Sequence, residues 1–454
     1  MDKNNNNYIL FIALSAALGG LLFGYDTAVI SGAIGNLTLY FHLTPFETGW
    51  AISSALVGCL IGSLFSDYLS HKFGRKVTML ITAILFILNS IGTALPASFS
   101  MFVLFRIVGG IGVGIASMVV PMYIAEIAPP KRRGALVGNY QLAIVIGIVV
   151  VYFVNYFIAL QGNATWNLTI GWRYMFGSEL IPSLLFLVFI FLIPESPRWL
   201  FQKGKSKEAI SALLKLNTEK EALEVQIEIQ NSLQDEEKNQ WKHLVNPVFK
   251  KALLVGIGLS VLQQLTGINA ILYYAPEIFK SLGSSTDVSL LETSTLGVVN
   301  LIFTLLAIRL VDKMGRKPLL YIGAIGMTIA LTTVGLFLYY NAIGNYVLPF
   351  LLLFMGSFSI SWGPILWVLL SEIFPTKIRS LALAISVFMQ WVANFAVTQV
   401  FPSLIENAWL KEHFHGAFPF LVFAIICLLS LLFVWKKVPE TKNKSLENID
   451  SLWN

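Results

Sequence analysis

The chain has 454 residues, of which 56% are hydrophobic and only 12% charged, with a formal net charge of +6. A soluble protein of this length needs far more charge to cover its surface. Apolar blocks of about 20 residues or more recur from end to end, so the reading is an all-α polytopic membrane protein, and the blocks are too long and evenly apolar for a strand-built barrel.

In chain order, the apolar blocks predict helices at 8–33, 47–70, 77–95, 100–125, 134–157 and 172–193. The first block lacks a strongly basic flank and a small-residue cleavage site, so it reads as a retained span and not a signal peptide. Six more helices are predicted at 251–280, 288–311, 318–341, 347–374, 380–402 and 416–436. Between the two sets, "SKEAISALLKL" and "EKEALEVQIEIQNSL" predict short amphipathic helices in a polar linker. The organisation expected is an N-terminal six-helix half (1–193), a linker (194–250), a C-terminal six-helix half (251–436) and a tail (437–454).

Most of the 31 Lys and Arg residues fall on one side of this arrangement, in the even-numbered connections, the linker and the termini. The positive-inside rule makes that side cytoplasmic, with both termini on it, and the location the plasma (inner) membrane. Asn36, Asn163 and Asn167 begin glycosylation triplets on the opposite side. Cys59 and Cys427 stand apart in apolar blocks, so neither a metal site nor a disulfide framework is expected.

Two short motifs repeat. "HKFGRK" (71–76) and "DKMGRK" (312–317) follow the second span of each half, and "EIAPPKRRG" (126–134) and "EIFPTKIRS" (372–380) end a later one. Corresponding basic turns imply two parallel halves. Arg75, Glu126, Arg133, Asp312, Arg316, Glu372 and Arg379 are read as carboxylate–arginine latches on the cytoplasmic face, with Asp312 expected to pair with Arg316 or another loop's arginine.

Polar side chains inside the spans form a second pattern. The seventh span carries Gln263, Gln264, Asn269, Tyr273 and Tyr274, with Gly267 and Pro276 weakening a continuous helix. The tenth carries Gly363, Pro364 and Trp367. The eleventh carries Gln390, Trp391 and Asn394, with Gln390 and Asn394 on one face. Asn300 and Gln141 lie in the eighth and fifth spans. Buried amides are costly unless paired, so the set implies either a polar cavity or bonding between helices. Amides both donate to and accept from hydroxyls, and tryptophan covers an apolar ring face. Asp26, in "FGYDTAVISG", is too costly in lipid as a bare anion. Arg106 is the basic residue well inside the N-terminal spans and is its expected partner. Glu179 is a second acid that Arg106 could engage once Asp26 is protonated; a purely structural ion pair is the competing reading.

The chain resembles the sugar porter branch of the major facilitator superfamily over nearly its whole length. The marks are "PESPRWL" (194–200), "QQLTGINAILYYAPEIF" (263–279), "GPILWVLLSEIFP" (363–375) and "PETKNKSLENI" (439–449), besides the repeated loops. Residues 256–325 look most like the xylose–proton symporters of that branch. The resemblance implies that Gln141, Gln263, Gln264, Asn269, Asn300, Trp367, Gln390 and Trp391 contact sugar, and that Tyr273 and Asn394 line or close the same cavity. It adds Glu195 and Arg198 to the latch and makes Asp26 the leading proton-coupling group. Departures are His71 and Asp67 in the first basic loop, and Ile148, where the xylose symporters have glutamine and hexose carriers an apolar residue. Leu272 keeps the xylose pattern, so the specificity wall pulls both ways.

The expected function is proton-coupled symport of a monosaccharide, D-xylose or a hexose such as D-glucose, by alternating access. A proton-independent facilitative transporter and a non-transporting sugar receptor are the alternatives. Neither an enzyme nor an ATP-driven pump is expected, since no GxxxxGK[ST] loop occurs. The partners implied are the sugar, protons and the lipid bilayer. No cofactor, metal, nucleic acid or obligate protein partner is expected.

Overall fold

The computed structural model describes residues 3–129, 133–216, 219–234, 246–342, 344–375, 378–442 and 453. Among them, twelve helices are long and apolar enough to cross a membrane: Asn7–Phe41, Pro45–Phe73, Arg75–Ala94, Phe99–Ile127, Leu136–Ala159, Ala164–Leu192, Phe249–Ser281, Thr286–Val311, Arg316–Tyr339, Leu348–Ile373, Leu381–Glu406 and Phe418–Lys437. They are spans 1 to 12 below.

Every predicted span is present, but several are longer than the hydropathy suggests. Apolar runs report the thickness of the hydrocarbon layer, whereas caps set helix ends. Span 1 continues to Phe41. Span 6 starts at Ala164, where the Asn163 side chain accepts from the Trp166 N–H at 2.9 Å. Asn167 is buried and donates to the Ala159 carbonyl at 2.9 Å, which removes it as an accessible glycosylation acceptor.

Among the described residues three spans are interrupted: span 6 at 178–179, between Trp172–Gly177 and Leu180–Leu192, and spans 7 and 10. Span 7 stops at Leu265 and restarts at Ile268, with Gly267 between them at φ +87°. A side chain there would adopt the unfavoured left-handed region and strike the Phe423 ring. Span 10 breaks at Ser361, which has φ −132° and ψ −92°. Pro364 explains the position: it has no N–H for the Ile360 carbonyl, and its ring crowds that group. The expected weakening at Pro276 is absent; the second segment of span 7 runs through it.

The chain packs as two compact units. The first comprises Met1–Val29, Val57–Val151 and Arg173–Lys238. Its helices approach closely at small residues: a methyl group on Gly24 would strike the Ile144 carbonyl, and one on Gly114 that of Cys59. The linker helices Pro197–Gln202 and Ser206–Leu216 belong here and share an apolar cluster of Trp199, Leu200, Ala209 and Ala212. The amphipathic helices expected in the linker are thus formed, the other being Glu219–Gln234.

The second unit comprises Ile30–Leu56, Tyr152–Trp172 and Asn239–Asn454. Here the ends of spans 1, 2 and 5 remote from the basic loops are tied to spans 7 and 11. Ser53 Oγ donates to Gln399 Oε1 at 2.6 Å, and Gln399 Nε2 donates to the Phe46 carbonyl at 2.9 Å. Tyr152 Oη donates to the Leu272 carbonyl at 3.1 Å, and Gly35 leaves room for the Glu277 carboxylate.

Candidate functional site

The first unit holds a buried polar cluster contributed by four spans. Arg106 Nη1 donates to Asp26 Oδ1 at 2.9 Å and to the Asp26 carbonyl at 3.2 Å. Both side chains are shut off from solvent, with relative exposures of 1% and 0%. The Arg106 guanidinium also lies over the Phe176 ring, 5.8 Å from its centre. The pairing expected between Asp26 and Arg106 is formed. Glu179 is equally buried, but no direct bond to Arg106 links it to the pair. Asn89 of span 3 makes that connection, donating to Asp26 Oδ1 at 2.7 Å and to Glu179 Oε2 at 2.9 Å. Sequence reasoning missed Asn89, because one asparagine among many intramembrane amides carries no signature.

The second unit holds an amide chain built on the interrupted spans 7 and 10, with Gln390 of span 11. Asn269 Nδ2 donates to Gln264 Oε1 at 2.6 Å, and Gln264 Nε2 donates to Gln263 Oε1 at 2.9 Å. Gln390 Nε2 donates to the same Gln263 oxygen at 2.7 Å. Gln263 Nε2 in turn donates to the Trp362 carbonyl at 2.8 Å, immediately after the break in span 10. The turn at Gly267 brings Asn269 back to Gln264, and the Trp362 carbonyl at the start of the second segment of span 10 receives a second donor from the Gln263 side chain.

The remaining polar candidates lie outside this chain of bonds. Asn300 accepts from Ser359 at 2.8 Å, and Asn394 from Thr398 at 3.1 Å. Tyr273, Leu272 and Trp391 are buried, whereas Trp367 is 39% exposed. Gln141 and Ile148 are half-buried on span 5 in the first unit.

The repeated loops build two matching clusters. In the first unit, Arg75 grips Glu126 with Nε at 2.9 Å and Nη2 at 2.8 Å, while Ser196 Oγ donates to Glu126 at 2.5 Å. Glu195 accepts from the backbone N–H groups of Arg75 at 2.9 Å and Ser196 at 2.7 Å. In the second unit, Arg316 grips Glu372 with Nε at 3.0 Å and Nη2 at 2.8 Å, and Thr441 Oγ1 donates to Glu372 at 2.5 Å. Glu440 accepts from the N–H groups of Arg316 at 3.1 Å and Lys317 at 2.9 Å. Each arginine follows a glycine at positive φ, Gly74 at 95° and Gly315 at 91°. That backbone turns the loop's N–H groups toward the carboxylate, and a Gly74 side chain would occupy the Glu195 position.

The expected pairing of Asp312 with Arg316 or another loop's arginine rests on a side chain outside the described residues. Arg316 pairs with Glu372, since its bidentate fork fits a carboxylate on the neighbouring span. The side chain of Arg133 also lies outside the described residues. Arg379 donates from Nε to the Phe374 carbonyl at 3.2 Å, within its own loop, and Arg198 is half-buried. Glu440, Ser196 and Thr441 complete the clusters and were not singled out from the sequence, although all three stand in the "PESPRWL" and "PETKNKSLENI" motifs.

The two clusters differ electrostatically despite their matching bonds. Burial raises the Glu195 carboxyl above the ordinary range, outweighing the N–H donors of Ser196, Lys76 and Arg75. Burial also pushes Glu440 upward, but N–H bonds from Lys317, Lys442, Arg316 and Thr441 together outweigh it, and the net shift is down. Backbone donors favour the ionised form, whereas desolvation favours the neutral one.

A family model described as "Sugar (and other) transporter" matches residues 12–453. The D-xylose-proton symporter of Escherichia coli (strain K12) is 47% identical over 475 residues, covering 99% of this chain and 96% of that protein. The arabinose-proton symporter of Bacillus subtilis (strain 168) is 41% identical over 452 residues, covering 99% and 96%. Among solved structures, the inward open conformation of the xylose transporter from E. coli matches with a TM-score of 0.87 at 44% identity, covering 98% of this chain and 100% of that one. With twelve spans, paired basic-loop clusters and near-complete coverage, this chain belongs to the sugar transporter family.

Proposed function

We propose that the chain is a proton-coupled monosaccharide symporter working by alternating access, with the basic loops and both termini in the cytoplasm. The observation that carries this is the Asp26–Arg106 pair, fully buried and joined to a second acid through Asn89. A buried ion pair of this kind changes its charge balance when a proton arrives, which biases one arrangement of the helices over another. The names of the relatives, both sugar–proton symporters, support the same reading.

In this reading the amide chain from Asn269 to Gln390 holds the sugar hydroxyls, with Asn300, Asn394, Trp367, Trp391, Tyr273 and Gln141 as further contributors. The halves 1–193 and 251–436 rock against each other, and the arginine–carboxylate clusters stiffen the cytoplasmic ends of the helices. The ties of Ser53, Phe46 and Tyr152 to spans 7 and 11 are the closed outer gate. In proteoliposomes with an imposed inward proton gradient, the carrier should concentrate D-xylose or D-glucose, and a protonophore should abolish the gradient-driven part. Equal internal and external sugar at steady state, with or without the gradient, would mean facilitation instead.

Ile148 bears on which sugar is preferred. An apolar side chain offers no partner to a hydroxyl and leaves a wall suited to a bulkier hexose. Ile148→Gln should shift preference toward xylose over glucose by about 2- to 10-fold, the scale of one added hydrogen bond to a buried hydroxyl. Competition of unlabelled hexoses against labelled xylose in counterflow would measure it, and an unchanged ratio would remove Ile148 from the wall.

A further inference from the structure

We propose that Asn89 is a positioning residue of the coupling site: its amide hangs the carboxyls of Asp26 and Glu179 on one nitrogen and thereby sets the pH at which the pair surrenders its proton. This rests on the symport reading above and goes beyond it in naming what joins the two acids.

Asn89 is fully buried on span 3, and its Nδ2 donates to both carboxylates, at 2.7 and 2.9 Å. Span 4 is cut back to admit it, since a methyl group on Gly109 would strike the Asn89 side chain. Among the described residues, the Glu179 side chain accepts from Asn89 only. The charged and titratable groups around the amide are Asp26 and Tyr25 of span 1, Cys59 of span 2, Arg106 of span 4 and Glu179 of span 6. Tyr25 Oη is bonded to Ser178 at 2.7 Å, next to Glu179, and Cys59 lies within electrostatic reach of Asp26 and Arg106.

Two acids facing one guanidinium cannot both ionise cheaply in a site closed to bulk solvent, so the pair retains one proton. The amide never titrates. Its two N–H groups remain constant donors while the charge on either side changes. Donation to an ionised carboxylate is worth about twice donation to a neutral group, so Asn89 favours the proton-free form and eases release.

The test uses the full chain in proteoliposomes, following labelled sugar entry and sugar-dependent proton uptake together across a range of pH. Asn89→Leu keeps the approximate volume and removes both donors. Its midpoint for proton-driven uptake should move upward by about one pH unit or more. Asn89→Ser retains one donor hydrogen and should fall between, which keeps the proposal testable should the leucine variant fail to fold. Lower flux with an unmoved midpoint in whichever variant folds would mark Asn89 as structural only and overturn the proposal. A wild-type carrier without proton uptake would overturn the symport reading, and this proposal with it. Wild-type coupling with unaltered profiles in both variants would overturn this proposal alone.

Discussion

Asp26→Asn is expected to abolish sugar-driven proton uptake and reduce steady-state accumulation to equality across the membrane. The substitution keeps the shape and a hydrogen-bonding group but removes the site that carries a proton. Arg106 then lacks the carboxylate that it holds at 2.9 Å. Removing one partner of a buried ion pair commonly costs about 3–5 kcal/mol, because the other charge is left uncompensated. Glu179 limits that loss here: it lies across Asn89 from Asp26, so a small rearrangement can give Arg106 a new anion. Thermal unfolding in detergent should therefore show a decrease smaller than for a simple broken pair, and Asp26→Asn combined with Glu179→Gln should show the full one. Retained uphill transport by Asp26→Asn would place the coupling proton elsewhere.

How far the sequence reached depends on how unusual each residue is in its surroundings. A carboxylate in span 1 and a single guanidinium well inside the N-terminal spans stand out, so Asp26 and Arg106 were legible as a pair although 80 residues separate them. Asn89 was not, since asparagine is an ordinary helix-to-helix contact in membranes. The basic-loop motifs drew attention to their arginines and carboxylates, but not to Arg316 reaching Glu372, 56 residues away. That pairing follows from helix packing, which places the Glu372 carboxylate opposite the fork. Gly267 announced its break by residue type. The break at Ser361 was shifted from its cause, because proline disrupts the carbonyl four residues before it.

Gln263→Leu should cause the largest loss of sugar affinity in the second unit, because Gln263 is the junction of the amide chain. Its oxygen accepts from both Gln264 and Gln390, and its nitrogen donates to the Trp362 carbonyl at the break in span 10. Leucine leaves two amide donors, those of Gln264 and Gln390, in want of their acceptor. At about 1–3 kcal/mol for each buried polar group so stranded, the side chains would turn to new partners and lose their arrangement toward a ligand. A loss of affinity of about 10- to 100-fold follows if even one or two such contacts to sugar hydroxyls depend on that arrangement. Calorimetric titration with D-xylose and D-glucose, set beside thermal unfolding of the same variant, separates two roles. If the amides serve only to join spans 7, 10 and 11, the unfolding temperature falls while sugar affinity holds. If they hold sugar, affinity falls further than stability explains. Asn300→Ala supplies the contrast. It removes the acceptor for Ser359 and Thr304 without touching the Gln263 junction, so its effect on affinity should be smaller. Equal losses from the two variants would mean that the junction has no special part in binding.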